Sequence, residues 1–121
     1  MTRKSEIGKK GEDLAASYLI SKGYKIIERN FRKAWGELDI IAIDKKGILV
    51  FIEVKAMRQQ IAGLSPEDNL TKAKLIKLKR TASMYVGFQE NLVKESAWQI
   101  DLVAIDFSNE GNHRIRHYEN I

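Results

Sequence analysis

Four charged side chains stand out because their neighbours are those of buried strands. They are Glu37, Asp39, Glu53 and Lys55, in the run ELDIIAIDKKGILVFIEVK from Glu37 to Lys55. Burying an ionised carboxylate is costly unless a positive group meets it. A divalent cation can play that part, since Mg²⁺ is typically held by one or two carboxylates at about 2.0–2.1 Å and keeps its other positions for water and phosphate oxygens. A lysine beside such an ion can orient an attacking water and stabilise charge developing on a phosphoryl oxygen. The residue types therefore point to phosphate chemistry.

Whether they can act together depends on the strands that carry them. Side chains alternate along a strand, so Glu37, Asp39, Ile41 and Ile43 share one face, and Leu49, Phe51, Glu53 and Lys55 share a face of the next. A three-residue turn Lys45-Lys46-Gly47, with Gly47 in the left-handed position of a bulged hairpin, pairs Ile43 with Leu49 and Ile41 with Phe51. The same register sets Asp39 opposite Glu53 and Glu37 opposite Lys55, with all four charges on one face. A four-residue turn would scatter them over both faces. Opposed carboxylates repel across a sheet. The plain alternative is a ladder of cross-strand ion pairs at the sheet end; the register and the apolar surroundings favour a metal site.

Around these strands, Ile7, Leu14, Ala15, Tyr18 and Leu19 recur at helical spacing, with Ser5 as N-cap and Gly23 as stop. YKIIERNFR reads as a strand, followed by ELDIIAID and ILVFIEVKA. RQQIAGLSPED reads as a loop whose Pro66 opens a second helix reaching Val86. Its apolar stripe is Leu75, Leu78, Ala82, Tyr85 and Val86. AWQIDLVAIDF and the weaker RIRHYE follow as strands, separated by the turn SNEGN. The expected fold is α/β, in the order α-β-β-β-α-β-β, with a mixed sheet flanked by helices, because strand–helix–strand implies a right-handed parallel crossover.

The 121 residues suit one domain, 1–121, with a single core. Lys and Arg number 21 against 16 Asp and Glu, a net charge of +5 that is compatible with a polyanionic partner. The absence of Cys removes disulfides, thiolate nucleophiles and Cys-ligated zinc. Ile48–Ile52 is too short an apolar run for a membrane span, and MTRKSEIGKKGED does not read as a secretory signal. The expectation is a soluble cytoplasmic protein.

An Asp at the end of one strand and E-x-K on the next, in this element order, resembles the PD-(D/E)xK endonuclease superfamily. GKKGEDLAASYL, KGYKIIERNFR, GELDIIA, FIEVKAMR, GLSPEDNLTKAK and IDLVAID sharpen the resemblance to the YraN-like family of small bacterial proteins, which are similar to archaeal Holliday-junction resolvases. The resemblance implies a restriction-endonuclease-like core and metal-dependent hydrolysis of DNA phosphodiester bonds, branched or damaged DNA included. It makes Asp39 and Glu53 the ligands of Mg²⁺ or Mn²⁺, with help from the Val54 carbonyl, and Lys55 the catalytic lysine. Glu12 becomes an additional catalytic acid and Lys74 a basic residue aimed at substrate. Resolvase-like relatives also imply a homodimer. Two departures concern substrate contacts: Ala56 and Met57 separate the E-x-K motif from Arg58, and Gln99 and Ile100 stand before Asp101 where an arginine and an aromatic are usual. A nucleic-acid-binding protein that keeps the fold and basic face without turnover is the alternative.

The remaining candidates are weaker. Glu12 lies on the flank of the first helix's apolar stripe, within reach of the sheet edge, whereas Asp13 faces solvent. Lys72, Lys74, Lys77, Lys79 and Arg80 make the second helix a solvated basic face or, beside a phosphodiester site, a phosphate-binding stripe led by Lys72, Lys74 and Lys77. Ile7–Gly11 reads I-G-x-x-G, as in KH loops, but too few residues precede Gly8 for the strand and helix such a loop needs. His113 and His117 read as surface residues. Trp35 and Trp98 read as partial core, with a base-stacking role open to Trp35 ahead of the turn-like Gly36.

Overall fold

A computed structural model describes residues 6–58, 63–88, 97–108 and 110–121. In chain order these form α1 (Glu6–Ser21), β1 (Lys25–Lys33), β2 (Gly36–Ile43), β3 (Leu49–Arg58), a short 3₁₀ helix (Pro66–Asn69), α2 (Lys72–Phe88), β4 (Trp98–Phe107) and β5 (His113–Tyr118). The strands lie side by side in sequence order. β3 and β4, joined through α2, run parallel, and the other three pairings are antiparallel. The sheet is mixed, as the strand–helix–strand order predicts. Helix, three-strand meander, helix and strand follow one another in the order that the sequence predicts.

The helices cover opposite faces. Ala15, Leu19 and Ala16 of α1 pack on Ile40, Val50, Ile52, Val103 and Ile105. Leu78, Ala82 and Tyr85 of α2 pack on Ile41, Leu49, Phe51 and Ile100. Strands covered on both sides must be apolar on both, which is why β3 and β4 read as continuous hydrophobic runs instead of alternating ones. Burying each large side chain contributes roughly 1.5–3 kcal/mol, and Leu49, Phe51, Ile52 and Ile105 are all essentially inaccessible.

α1 stops where Gly23 predicts. With φ +92°, Gly23 donates its N–H to the Ile20 carbonyl, and Tyr24 donates to Leu19, both at 3.0 Å. These bonds, with that of the Lys22 N–H to the same Leu19 carbonyl at 3.0 Å, help to satisfy the carbonyls at the helix end. The Ser5 cap lies outside the described residues, as do positions 59–62 of the predicted loop. The predicted start of α2 needs correction: Pro66 opens the 3₁₀ helix, and α2 begins at Lys72. Thr71 supplies the cap, its Oγ1 accepting from the Lys74 N–H at 3.2 Å. Gly8 and Gly11 lie within α1, not in a loop. A Cβ on Gly11 would sit 2.6 Å from that of Ala56, so Gly11 lets α1 press directly onto β3.

No helix among the described residues is long and apolar enough to cross a membrane.

Candidate functional site

The turn that sets the register has the predicted form. Gly47 adopts φ +84°, Asp44 donates its N–H to the Ile48 carbonyl at 3.0 Å, and Gly47 donates back to Asp44 at 3.1 Å. The Asp44 carboxylate accepts from the N–H groups of Lys46 and Ile48, each at 2.9 Å. Pairing then runs Ile43–Leu49, Ala42–Val50, Ile41–Phe51 and Ile40–Ile52. There the ladder stops, short of the predicted Asp39–Glu53 and Glu37–Lys55 pairs.

Hydrogen-bonded pairs alternate in an antiparallel ladder, so the next in this register would join Leu38 to Val54. Instead the Val54 N–H donates to Asp39 Oδ2 at 2.9 Å. The Asp39 side chain thus replaces the main chain of its own strand, and β2 peels away from β3. A strand residue's N–H and C=O point to the same side, so the Val54 carbonyl faces the opening that results. An oxygen-lined gap forms where the sheet would otherwise have closed.

Glu53 lies beside Asp39 with its side chain 17% exposed, and Lys55 Nζ stands 3.5 Å from Glu53 Oε2. Burial, then a hydrogen bond shared with the Asp39 carboxyl and the Asp39 charge, push Glu53 up to about 8 against the pull of Lys55. Glu53 therefore favours its protonated form beside the Asp39 carboxyl. Such a pair fits a divalent cation, which would replace that proton and which favours carboxylate and carbonyl oxygens. Asp39 and Glu53, with the Val54 carbonyl, are the donors the fold offers.

Glu12, Asp39, Glu53, Val54 and Lys55 all line one cavity of about 570 Å³, together with Lys74 and Lys77 of α2. Lys72, Lys79 and Arg80 of the same helix do not line it; Lys72 is exposed on the first turn of α2. Glu12 is buried, its Oε1 3.6 Å from Arg29 Nη2, while the exposed Asp13 pairs with the same guanidinium at 2.6 Å. Among the described residues, no three His, Cys, Asp or Glu side chains gather as a single metal-binding cluster. Lys74 Nζ donates to the Asn69 carbonyl at 3.0 Å.

The cavity also takes in Gly8, Lys33, Gly36 and Thr81, which the sequence reading missed. Lys33 pairs with Gly36 across the β1–β2 turn, so its place one turn before Glu37 was a usable signal. Gly8 and Thr81 come from helices and carry no such signal.

Asp101, in the motif where an arginine is usual, is wholly buried. Gln99 Nε2 donates to its Oδ1 at 2.9 Å, and the Asn120 N–H donates there at 2.9 Å. His117 Nε2 lies 2.7 Å from Oδ2, and Tyr18 Oη lies 3.1 Å from His117 Nδ1. His117 is thus no surface residue, because the β4–β5 pairing turns it onto the α1 face; His113 is exposed. The entry to α2 is fixed separately. Arg116 grips Glu67 through two hydrogen bonds, and the Tyr118 hydroxyl donates to Glu67 at 2.7 Å. Arg116 also pairs with Asp106 at 2.7 Å.

Comparison with known proteins finds similar sequences and structures. A UPF0102 protein of Thermodesulfovibrio yellowstonii is 43% identical over 115 residues, covering 95% of this chain and 94% of that one. A UPF0102 protein of Syntrophomonas wolfei is 38% identical over 115 residues, covering 95% and 96%. Among solved structures, a repair endonuclease from Pyrococcus abyssi aligns over 92% of this chain and 42% of its own, at 18% identity and a TM-score of 0.41. Pyrococcus furiosus SfsA, in complex with Ca²⁺, aligns over 93% and 62%, at 19% identity and a TM-score of 0.40. Residues 11–105 match the pattern of the uncharacterised protein family UPF0102, and with relatives this similar along nearly their whole length, the chain belongs to that family.

Proposed function

We propose that the chain is a Mg²⁺- or Mn²⁺-dependent nuclease that hydrolyses phosphodiester bonds in DNA. One observation carries the reading: an acid pair, a lysine beside it and two further lysines from a separate helix line the same cavity. Asp39 and Glu53 would hold the ion, with the Val54 carbonyl completing the protein's share. When bound, the ion would supply a Lewis acid that neutralises charge on a phosphoryl oxygen.

The chain's own groups have distinct tasks in this reading. The Val54 N–H holds Asp39 in one orientation. Lys55, 3.5 Å from Glu53, orients the attacking water and stabilises the charge that develops on the phosphoryl group. Glu12, buried at the cavity wall, offers a further acceptor for that water. Lys74 and Lys77 neutralise flanking phosphates and set the register of the strand.

The test is a cleavage panel with Mg²⁺ or Mn²⁺ over four-way junction, flap, duplex and single-stranded DNA, with Glu53→Ala as control. Metal-dependent cleavage that disappears in the variant supports the proposal. Salt-dependent binding with no cleavage of any substrate by either metal overturns it in favour of a nucleic-acid-binding protein without turnover.

A further inference from the structure

The β1–β2 turn forms the rim of the cavity and carries more than Lys33. Gly36 presses against α2 so closely that an added Cβ would lie 2.1 Å from Thr81 Oγ1. That contact seats the turn on the middle of α2 and aims Trp35 along the helix toward its C-terminal end. There Trp35 meets Phe88, with ring centroids 5.9 Å apart and planes inclined at 40°. On its other side Trp35 packs on Phe31 at 5.6 Å. Phe31 is itself buried and locked edge-on against Tyr85 at 5.1 Å. The row is therefore anchored in the core at one end and open at the other, where Phe88 is 71% exposed. Phe88 and the partly buried Trp35 thus present adjacent aromatic rings at this end of α2.

We propose that Trp35 and Phe88 form a base-stacking platform for a single-stranded nucleic-acid segment whose backbone enters over Lys33, Lys74 and Lys77. The proposal rests on the nucleic-acid reading given above and names the substrate class for that same site. Charge and shape agree in direction. The three lysines line the cavity, and one of them, Lys33, lies with its Nζ 5.7 Å over the Phe31 ring of the aromatic row. From Lys77 to Phe88 along α2 is roughly 16 Å at 1.5 Å per residue, a span of more than one nucleotide. A duplex keeps its base faces stacked inside, so only an unpaired base can present one to a side chain. An aromatic platform next to a phosphate-binding stripe therefore selects single strands, tails or the arms of a flap.

The experiment compares three fluorescein-labelled probes by anisotropy, with EDTA present to prevent cleavage: a dT 20-mer, an abasic 20-mer with the same phosphates, and a 20-base-pair duplex. Wild type should bind the dT strand at least about ten-fold more tightly than the abasic strand. Phe88→Ala and Trp35→Leu should each weaken dT binding by roughly five- to hundred-fold, with duplex affinity and salt dependence unchanged, and Phe88→Tyr should restore it. Phe88→Ala acts at an exposed position, so its result does not depend on whether Trp35→Leu folds. Equal affinity of wild type for the dT and abasic strands, or a preference that survives Phe88→Ala, overturns the platform and leaves the phosphate-binding reading intact. Failure to bind any of the three probes removes both.

Discussion

Replacing Glu53 by Gln tests the acid pair through stability alone, without any assumed substrate. Glu53 is pushed from 4.5 up to about 8, so the folded chain binds a proton there that the unfolded chain gives up. Stability contributed by that proton is full below about pH 4.5 and is lost progressively as pH rises to about 8. At about 1.36 kcal/mol per unit, the loss reaches about 3 kcal/mol at pH 7 and is on the order of 5 kcal/mol above pH 8. Gln keeps the shape and a hydrogen bond to Asp39 but has nothing to ionise. In EDTA, Glu53→Gln should match wild type within about 1 kcal/mol at pH 5 and exceed it by about 3 kcal/mol at pH 7. For a chain of this size that is roughly 10 °C in Tm. Millimolar Mg²⁺ or Mn²⁺ should close the gap by stabilising wild type alone, through mass action on the folded state. Melts in buffers from pH 5 to 9, with and without metal, read both effects. Parallel stability curves for the two proteins, or a variant less stable at pH 8, would show that Lys55 already compensates the pair, and the ion-pair ladder would be the better account.

Other outcomes follow from particular contacts. Lys74→Ala or Lys77→Ala should weaken DNA binding across sequences and reduce the slope of log K against log salt by about one; Lys72→Ala, outside the cavity, should change both less. Glu67 is held down to about 2, chiefly by its hydrogen bonds to Arg116, so its contribution is present above about pH 4.5 and fades as pH falls toward 2. Arg116→Ala should therefore cost about 1–2 kcal/mol at neutral pH in urea unfolding, and the difference should vanish near pH 2. Gly11→Ala should destabilise by about 1–3 kcal/mol through overpacking on Ala56. In a double-mutant cycle Ala56→Gly should recover part of that loss, and strict additivity would contradict the close contact.

Much of the molecule was legible in its residues because local rules act alone there. Apolar periodicity and Gly23 placed α1, the runs of Ile, Val and Phe placed β3 and β4, and the turn chemistry of Lys45-Lys46-Gly47 set the register that puts Asp39 near Glu53. The E-x-K spacing was informative because alternation along a strand leaves Glu53 and Lys55 no choice but one face. The boundary at Pro66 was misread, since proline suits the first turn of a 3₁₀ helix as well as that of an α-helix, and Thr71 is an equally good cap.

What tertiary structure alone decided is where the ladder ends and what gathers at the break. Asp39 takes the Val54 N–H only because β2 peels from β3 at that point, and no periodicity announces where two strands part. Likewise Lys33, Thr81 and Gly8 reach the cavity from three different elements, and His117 is drawn inward to a buried Asp101 lying sixteen residues earlier. Such meetings depend on the summed geometry of packed elements, to which each residue's own pattern contributes only a direction. A sequence states which way a side chain points from its strand or helix; what it points at is set by the neighbours that packing supplies.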